Sequence, residues 1–266
     1  MTSIRIHSLY SGSTGNAFLI RTSEGAILID AGKNNKRLCE ALAACDTKPE
    51  EIRAIFITHE HTDHIGALPV FLKRHPIPVH VLEKSAVALR TAPAVAPCLC
   101  LHKPLFCEEI GNMRVSSFPT PHDSEGSVGY RIEIPCQDGS LLRIGYATDI
   151  GHVSREIEDS LLGCQAVILE SNHDPEMLHT GPYPYPLKQR IASRYGHLSN
   201  PDSAAFAARL CQNGTKCLML AHLSMENNTP ELALDAHRKA LAPFEHISLC
   251  VARPNDVTEL CMEGYV

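Results

Sequence analysis

The sequence predicts a layered α/β fold, in which mixed strands form sheets and helices cover the sheet faces. Two patterns carry that expectation. Short apolar runs look like buried strands, and amphipathic stretches of helical period alternate with them, chiefly in the later part of each half. A third observation concerns chemistry: several of the apolar runs are followed at once by His, Asp or Asn. In open α/β sheets, ligand sites gather just beyond the carboxyl ends of strands.

In chain order, the strand candidates begin with "AFLI" (17–20), "AILID" (26–30), "IRAIFIT" (52–58) and "PVHVL" (78–82). A hairpin-like region around "PTPHDSEGSVGY" joins "RVSSF" (114–118) to "GYRIEI" (129–134). "LLRIGYATD" (141–149), "AVILES" (166–171), "CLMLAHLS" (217–224) and "ISLCV" (247–251) complete the set. Among the helices, "NKRLCEALAAC" puts Leu38, Leu42 and Cys45 on one stripe, and "HIGALPVFLKR" does the same with Ile65, Leu68 and Leu72. Further helices are expected at "SREIEDSLLG", "LKQRIASRYG", "PDSAAFAARLCQNG" and "TPELALDAHRKAL", with Gly214 at a helix C-terminus. "GPYPYP", with Tyr183 and Tyr185, reads as a stiff extended loop.

The chain has 266 residues, 44% hydrophobic and 20% charged, enough material for a sizeable core. A net charge of -6 excludes a general electrostatic footprint for nucleic acid, so any such contact is local to a site. With no Trp and 5% aromatics, a broad base-stacking platform is excluded too. The 11 cysteines are scattered, odd in number and without a CxxC pair, and no stretch resembles a signal peptide or a membrane span. They read as reduced thiols of a cytoplasmic protein. The tightest group, Cys98, Cys100, His102 and Cys107, fits none of the usual zinc spacings and reads as a loop crossing apolar surface.

The run ending at Thr58 leads into "HEHTDH", which packs His59, His61, Asp63 and His64 into six positions. Other strand ends deliver His122, Asp149, Asn172 with His173, and His222. Taken singly, each has a bland explanation: Asp63 as a helix cap, Asp149 as a loop acid, a lone His as a satisfied polar residue. Together they read as ligands. His59 and His61, two apart on a loop, can grip one metal ion, while Asp63 and His64 at the start of the next helix face a second. Asp149 is the candidate bridge between ions held ~3.5–4 Å apart, with His122 completing one centre and His222 the other. Nitrogen and carboxylate donors without thiolate suit Zn²⁺, Mn²⁺ or Fe²⁺ alike.

With these motifs in place, "HEHTDH" resembles the HxHxDH signature of the metallo-β-lactamase fold superfamily. "SLYSGSTGNAFLI", "ILIDAG", "TPHD", "YATDIG" and "LAHLS" follow in the superfamily's order along nearly the whole chain. The resemblance implies a four-layer αβ/βα sandwich, with residues 1–266 as one domain and the metals at one edge. "LESNHDPEML", "GPYPYPLKQRIASRYGHLSN" and "LAHLSMENNTPELA" are similar to its YycJ/WalJ branch, described as DNA exonucleases. "GHLSN" with "HLS" is also similar to ribonuclease Z-type enzymes, which implies that His197 assists the leaving group.

Around the ligands, Asp30 is expected to hold the ligand loop by hydrogen bonds. Gly12, Gly15 and Asn16 form a tight turn whose amides either serve the turn alone or face a phosphate. Asn16, Asn172 and His173 are the expected substrate contacts. Lys188, Arg190 and Arg194 give one helix a basic side, either solvated or facing phosphate.

The expected activity is therefore phosphodiester hydrolysis with two divalent ions. Nucleic acid, most simply DNA, is the substrate, with Asp63 orienting the nucleophile and His197 donating a proton. The competing readings are a small-molecule phosphodiesterase, a thioester or lactone hydrolase, an RNA-processing nuclease, and a non-catalytic metal-binding scaffold. A CPSF-type nucleic-acid clamp is not evident in the sequence, and no membrane partner is expected.

Overall fold

Two seven-stranded sheets pack face to face and share one apolar layer. The computed structural model describes residues 4–136 and 138–261. The first sheet contains β1 (Arg5–Tyr10), β2 (Ala17–Thr22), β3 (Gly25–Ile29), β4 (Ile52–Phe56), β5 (Val79–Leu82) and β6 (Leu99–His102). The second contains β7 (Cys107–Ile110), β8 (Met113–Pro119), β9 (Val128–Pro135), β10 (Leu141–Ala147), β11 (Ala166–Glu170), β12 (Cys217–Ala221) and β13 (Ser248–Val251). A short β14 (Thr258–Glu259) returns to pair with β1 at the edge of the first sheet. Each sheet mixes orientations. Strands β3 to β6 are parallel, as are β10 to β13, while β1–β2–β3 and β7–β8–β9–β10 run antiparallel.

The apolar runs are continuous because both faces of the central strands are covered. In β3, Ile27 and Ile29 enter the layer between the sheets, while Ala26 and Leu28 face an outer layer. Strand β11 repeats this, with Ala166 and Ile168 facing inward and Val167 and Leu169 outward. Rings lock the sheets together: Phe18 meets Tyr146 edge-on at 5.0 Å, and Phe56 meets Tyr130 at 5.6 Å. Burying one such ring contributes roughly 1.5–3 kcal/mol.

The outer layers are helical. Beside the first sheet lie α1 (Asn35–Ala44), α2 (Thr62–Ile65) and α3 (Leu68–Arg74). With the second come α4 (Arg155–Leu161), α5 (Pro175–Thr180), α6 (Tyr185–Ile191), α7 (Asn200–Gln212) and α8 (Pro230–Leu241). The expected αβ/βα order of layers is thus present. Side-chain caps start several helices: Asn34 for α1, Ser154 for α4, Ser199 for α7 and Thr229 for α8, the last two followed by Pro within the first turn. Gly214, just past α7, has φ 104°, the left-handed form expected of a helix terminus.

Three expectations change. The 64–74 stretch is two helices, because the chain turns at Gly66 and Ala67, where the Ala67 amide leaves the helix to donate to Ala31 O at 2.9 Å. Residues after Cys98 form β6 instead of a loop, paired in parallel with β5. Here His102 lies 3.0 Å from His80, and Cys107 accepts from Arg114. Tyr185 opens α6 instead of continuing an extended loop. Strands β1, β7 and β14 and helix α5 lacked a clear periodic signal.

One buried titratable group sits outside the site. His237 on α8 is wholly buried, with Nδ1 2.8 Å from Ala233 O and Nε2 3.1 Å from Ser203 Oγ. Burial pushes its pKa down to about 4. The unfolded chain takes up this proton below about pH 6.5 while the native state does not, so stability falls as pH drops from 6.5 towards 4. Urea unfolding of wild type and His237→Gln checks this: between pH 7 and pH 5 wild type should lose roughly 2 kcal/mol more than the variant.

Candidate metal centre

The polar strand ends converge on one crevice between the sheets. From the first sheet, β3 ends at Asp30, and β4 leads through Thr58 and His59 to His61, Asp63 and His64 on α2. From the second come His122 after β8, Asp149 after β10, Glu170 at the end of β11 and His222 after β12. Asp30, Asp149 and His222 have φ of 62°, 57° and 56°, a left-handed turn just past a strand that re-aims each side chain. Such conformations cost about 1–3 kcal/mol each for a non-Gly residue and persist where surrounding contacts over-determine them.

Donor atoms of His59, His61 and His122 all lie within 4.8 Å of one another, as do those of Asp63, His64 and His222. Asp149 lies between the groups: its Oδ2 is 3.4 Å from His64 Nε2, and its Oδ1 is 3.8 Å from His122 Nε2 and 3.5 Å from His222 Nδ1. One nitrogen of most of these rings is fixed by the protein. His64 Nδ1 contacts Asp30 at 2.7 Å, His59 Nδ1 contacts Thr58 Oγ1 at 3.0 Å, and His222 Nδ1 contacts Glu170 at 2.9 Å. The other nitrogen faces the crevice.

There, His59 Nε2, His122 Nε2, His222 Nε2 and Asp149 Oδ2 are buried without a hydrogen-bond partner. Buried polar atoms are rarely left unpaired, since each costs about 1–3 kcal/mol. Four of them in one crevice, all nitrogen or carboxylate oxygen, fit divalent cations. The charges agree. Burial pushes His59 well below its ordinary pKa, leaving a neutral ring with a free lone pair. Burial would raise Asp149, but His222, His64, His59 and His122 around it hold it well below the usual carboxylate range. Burial would likewise lower His64, yet Asp30 and Asp149 hold it well above its ordinary value. Protons on these rings thus balance carboxylates that a cation could balance instead.

Two fully buried carboxylates hold the ligand loops. Asp30 accepts from Thr58 N at 2.8 Å and from Thr58 Oγ1, besides its contact with His64, as the expectation of a supporting role requires. Glu170 was not foreseen. It accepts from Ile150 N, Leu198 N, His197 Nδ1 and His222 Nδ1, at 2.9, 3.0, 2.8 and 2.9 Å. Its signal in the sequence is an acid closing the wholly apolar run "AVIL".

An open cavity of about 240 Å³ stands over the crevice. Asp63, His122, Asp149, His222, His197 and Asn172 line it, with Ser13, Tyr183 and Arg190 towards its mouth. His197 is partly exposed and its ring centroid lies 5.2 Å from that of His122 and 5.1 Å from that of His222. Asn172 donates to His222 O at 2.9 Å.

Two expected substrate contacts lie elsewhere. Asn16 is fully buried beneath the ligands, its amide 3.3 Å from Asp63 Oδ2 and 3.1 Å from Gly12 O. The amides of Gly12 and Gly15 bond to Asn16 Oδ1 and Gly12 O, so the turn spends them internally. His173 faces a different cavity. The three basic residues near α6 also part company: Arg190 pairs with Asp123, Lys188 donates to His179 O, and Arg194 lies by His152.

Residues 10–139 match the profile of the Metallo-beta-lactamase superfamily. The chain is 37% identical over 229 residues to the exodeoxyribonuclease WalJ of Streptococcus pneumoniae, covering 85% of this chain and 83% of that one. It is 34% identical to the exodeoxyribonuclease YycJ of Bacillus anthracis over 85% of this chain and 84% of that one. The crystal structure of YhfI from Bacillus subtilis, a metallo-beta-lactamase fold protein, superposes with a TM-score of 0.73 at 15% identity, covering 96% of this chain and 99% of that one.

Replacing Glu170 with Gln keeps its volume but cannot accept from two rings and two amides at once. In competition with a chelator, Glu170→Gln should bind metal about 10–100-fold more weakly than wild type. An unchanged affinity would mean that Glu170 does not orient His222.

Proposed function

Because the chain belongs to the metallo-beta-lactamase superfamily, in the branch of the WalJ and YycJ exodeoxyribonucleases, we propose that it is a metal-dependent phosphodiester hydrolase that removes nucleotides from DNA ends. The observation that carries this reading is the set of three unpartnered imidazole nitrogens and one carboxylate oxygen beneath an open cavity, with His197 beside them on the cavity wall. His59, His61, His122 and Asp149 would hold one divalent ion, and Asp63, His64, His222 and Asp149 a second. Zinc, manganese and iron all suit this donor set. Bound there, the ions supply an acidified water and positive charge against the phosphate.

The chain's own residues supply the rest. Asp63 keeps a partly exposed carboxylate at the cavity floor, where it accepts a hydrogen bond from the attacking water and orients it. His197 donates through Nδ1 to Glu170, so its Nε2 is free to face the leaving oxygen. The Glu170 carboxylate fixes the orientation of the ring, and solvent in the open cavity returns a proton to Nε2 after it has moved. Such proton transfer contributes typically 10²–10⁴-fold, and an alkoxide leaving group needs it. The apolar layer shared by both sheets supports treating the chain as one domain. The 11 unpaired cysteines support a cytoplasmic setting, and no helix among the described residues is long and apolar enough to cross a membrane.

End-labelled duplex DNA, single-stranded DNA and RNA test the reading, with a chromogenic phosphodiester alongside. Mononucleotides should leave DNA stepwise in the presence of Mn²⁺ or Zn²⁺ and should be absent with Asp63→Ala. Cleavage of the small ester alone would reject DNA as substrate. His197→Ala should lower turnover about 10²–10⁴-fold at unchanged metal content, and metal loss in this variant would make His197 a ligand instead.

A further inference from the structure

Helix α6 has cavities on both sides. Leu187, Arg190 and Ile191 line the central one, while Tyr185, Lys188, Gln189 and Ala192 line another of about 360 Å³. At 3.6 residues per turn these sets fall on opposite sides of the helix. The second cavity has an apolar floor that includes Pro175 and Leu178. Tyr185 stands over it, 72% exposed, with its hydroxyl accepting from Gln189 Nε2 at 2.9 Å so that the ring is held in place. His173 is 4% exposed, and its Nδ1 has no hydrogen-bond partner among the described residues.

A large aromatic ring left in solvent, an apolar floor and one unsatisfied buried nitrogen together suit a flat ligand with two apolar faces and a polar edge. A nucleobase has that form: it stacks on an aromatic ring without regard to sequence and carries hydrogen-bonding groups on its rim. One helix separates this cavity from the proposed reaction path. Tyr183 lines the central cavity and Tyr185 the second, only two positions apart, so a strand crossing this ridge passes from one to the other. α6 with its side chains is about 10 Å across.

We propose that this cavity is a subsite for an unstacked nucleobase of the substrate strand, with Tyr185 as the stacking platform and His173 addressing the base edge. The proposal rests on the nuclease reading above and adds to it where the strand lies outside the reacting phosphate.

The absence of Trp from the chain makes a direct test available. In metal-loaded Tyr185→Trp the single indole reports on the subsite. A phosphorothioate-linked single-stranded oligodeoxynucleotide of mixed sequence, which resists cleavage, should quench its emission saturably, whereas an abasic oligomer of equal length should not. Tyr185→Ala should bind the oligonucleotide at least about fivefold more weakly, and Tyr185→Phe, which keeps the ring, should stay within about twofold of wild type. No quenching, equal quenching by the abasic oligomer, or wild-type affinity in Tyr185→Ala would overturn the subsite. The nuclease reading fails separately, if wild type leaves ordinary DNA intact while base-dependent quenching persists.

Discussion

The site depends on two carboxylates buried where no water reaches them, one from each sheet. Asp30 closes off β3 and Glu170 ends β11, and both are fully buried. A carboxylate in that position is tolerable only when its oxygens are matched by donors. Asp30 is matched by Thr58 and His64, and Glu170 by two backbone amides and two imidazoles. Those donors belong to the loops that carry the crevice side chains. Satisfying the acids and positioning the rings are therefore one event, and neither loop can move without exposing a charge.

This arrangement also accounts for the strained backbone. The chain turns left-handed at Asp30, Asp149 and His222, within two residues of the ends of strands β3, β10 and β12. Each turn swings a side chain from the strand end into the crevice between the sheets. The glycine at position 32 serves the same geometry from below, since a Cβ there would overlap the backbone of Asp63. The first sheet's ligand loop is further stitched by Ala31, whose amide bonds to His64 O at 2.7 Å. Strain at strand ends is held by packing that lies outside the crevice, in the layer where Phe18 meets Tyr146 and Phe56 meets Tyr130.

The two sheets divide the chemistry unevenly. The first supplies a compact ligand block from one loop and one short helix. The second supplies single residues from successive strand ends, together with the cavity wall formed by α6 and the segment before α7. That wall carries Arg190 and Tyr183 towards the crevice and Tyr185 away from it. The cavity wall thus belongs largely to the second sheet's loops, whereas both sheets contribute donors to the crevice.

The sequence alone determined the layered fold and most of the elements, because period-two and period-3.6 apolar patterns are local and survive in runs such as "AILI" and "AVIL". It also marked His59, His61, Asp63 and His64, whose spacing is local, and the strand ends that bring His122, Asp149 and His222 to them. Edge strand β7 escaped it, since "CEEI" carries no continuous apolar run, and β6 read as a loop within its cysteine-rich stretch. Only the tertiary structure decided how the remaining polar residues are used. Asn16 lies beneath Asp63, His173 turns to the far side of α6, and Glu170 joins His197 to His222. Those roles depend on which loop crosses which, through backbone bonds such as Ala67 N to Ala31 O, and pairings over such separations leave no periodic trace in the chain.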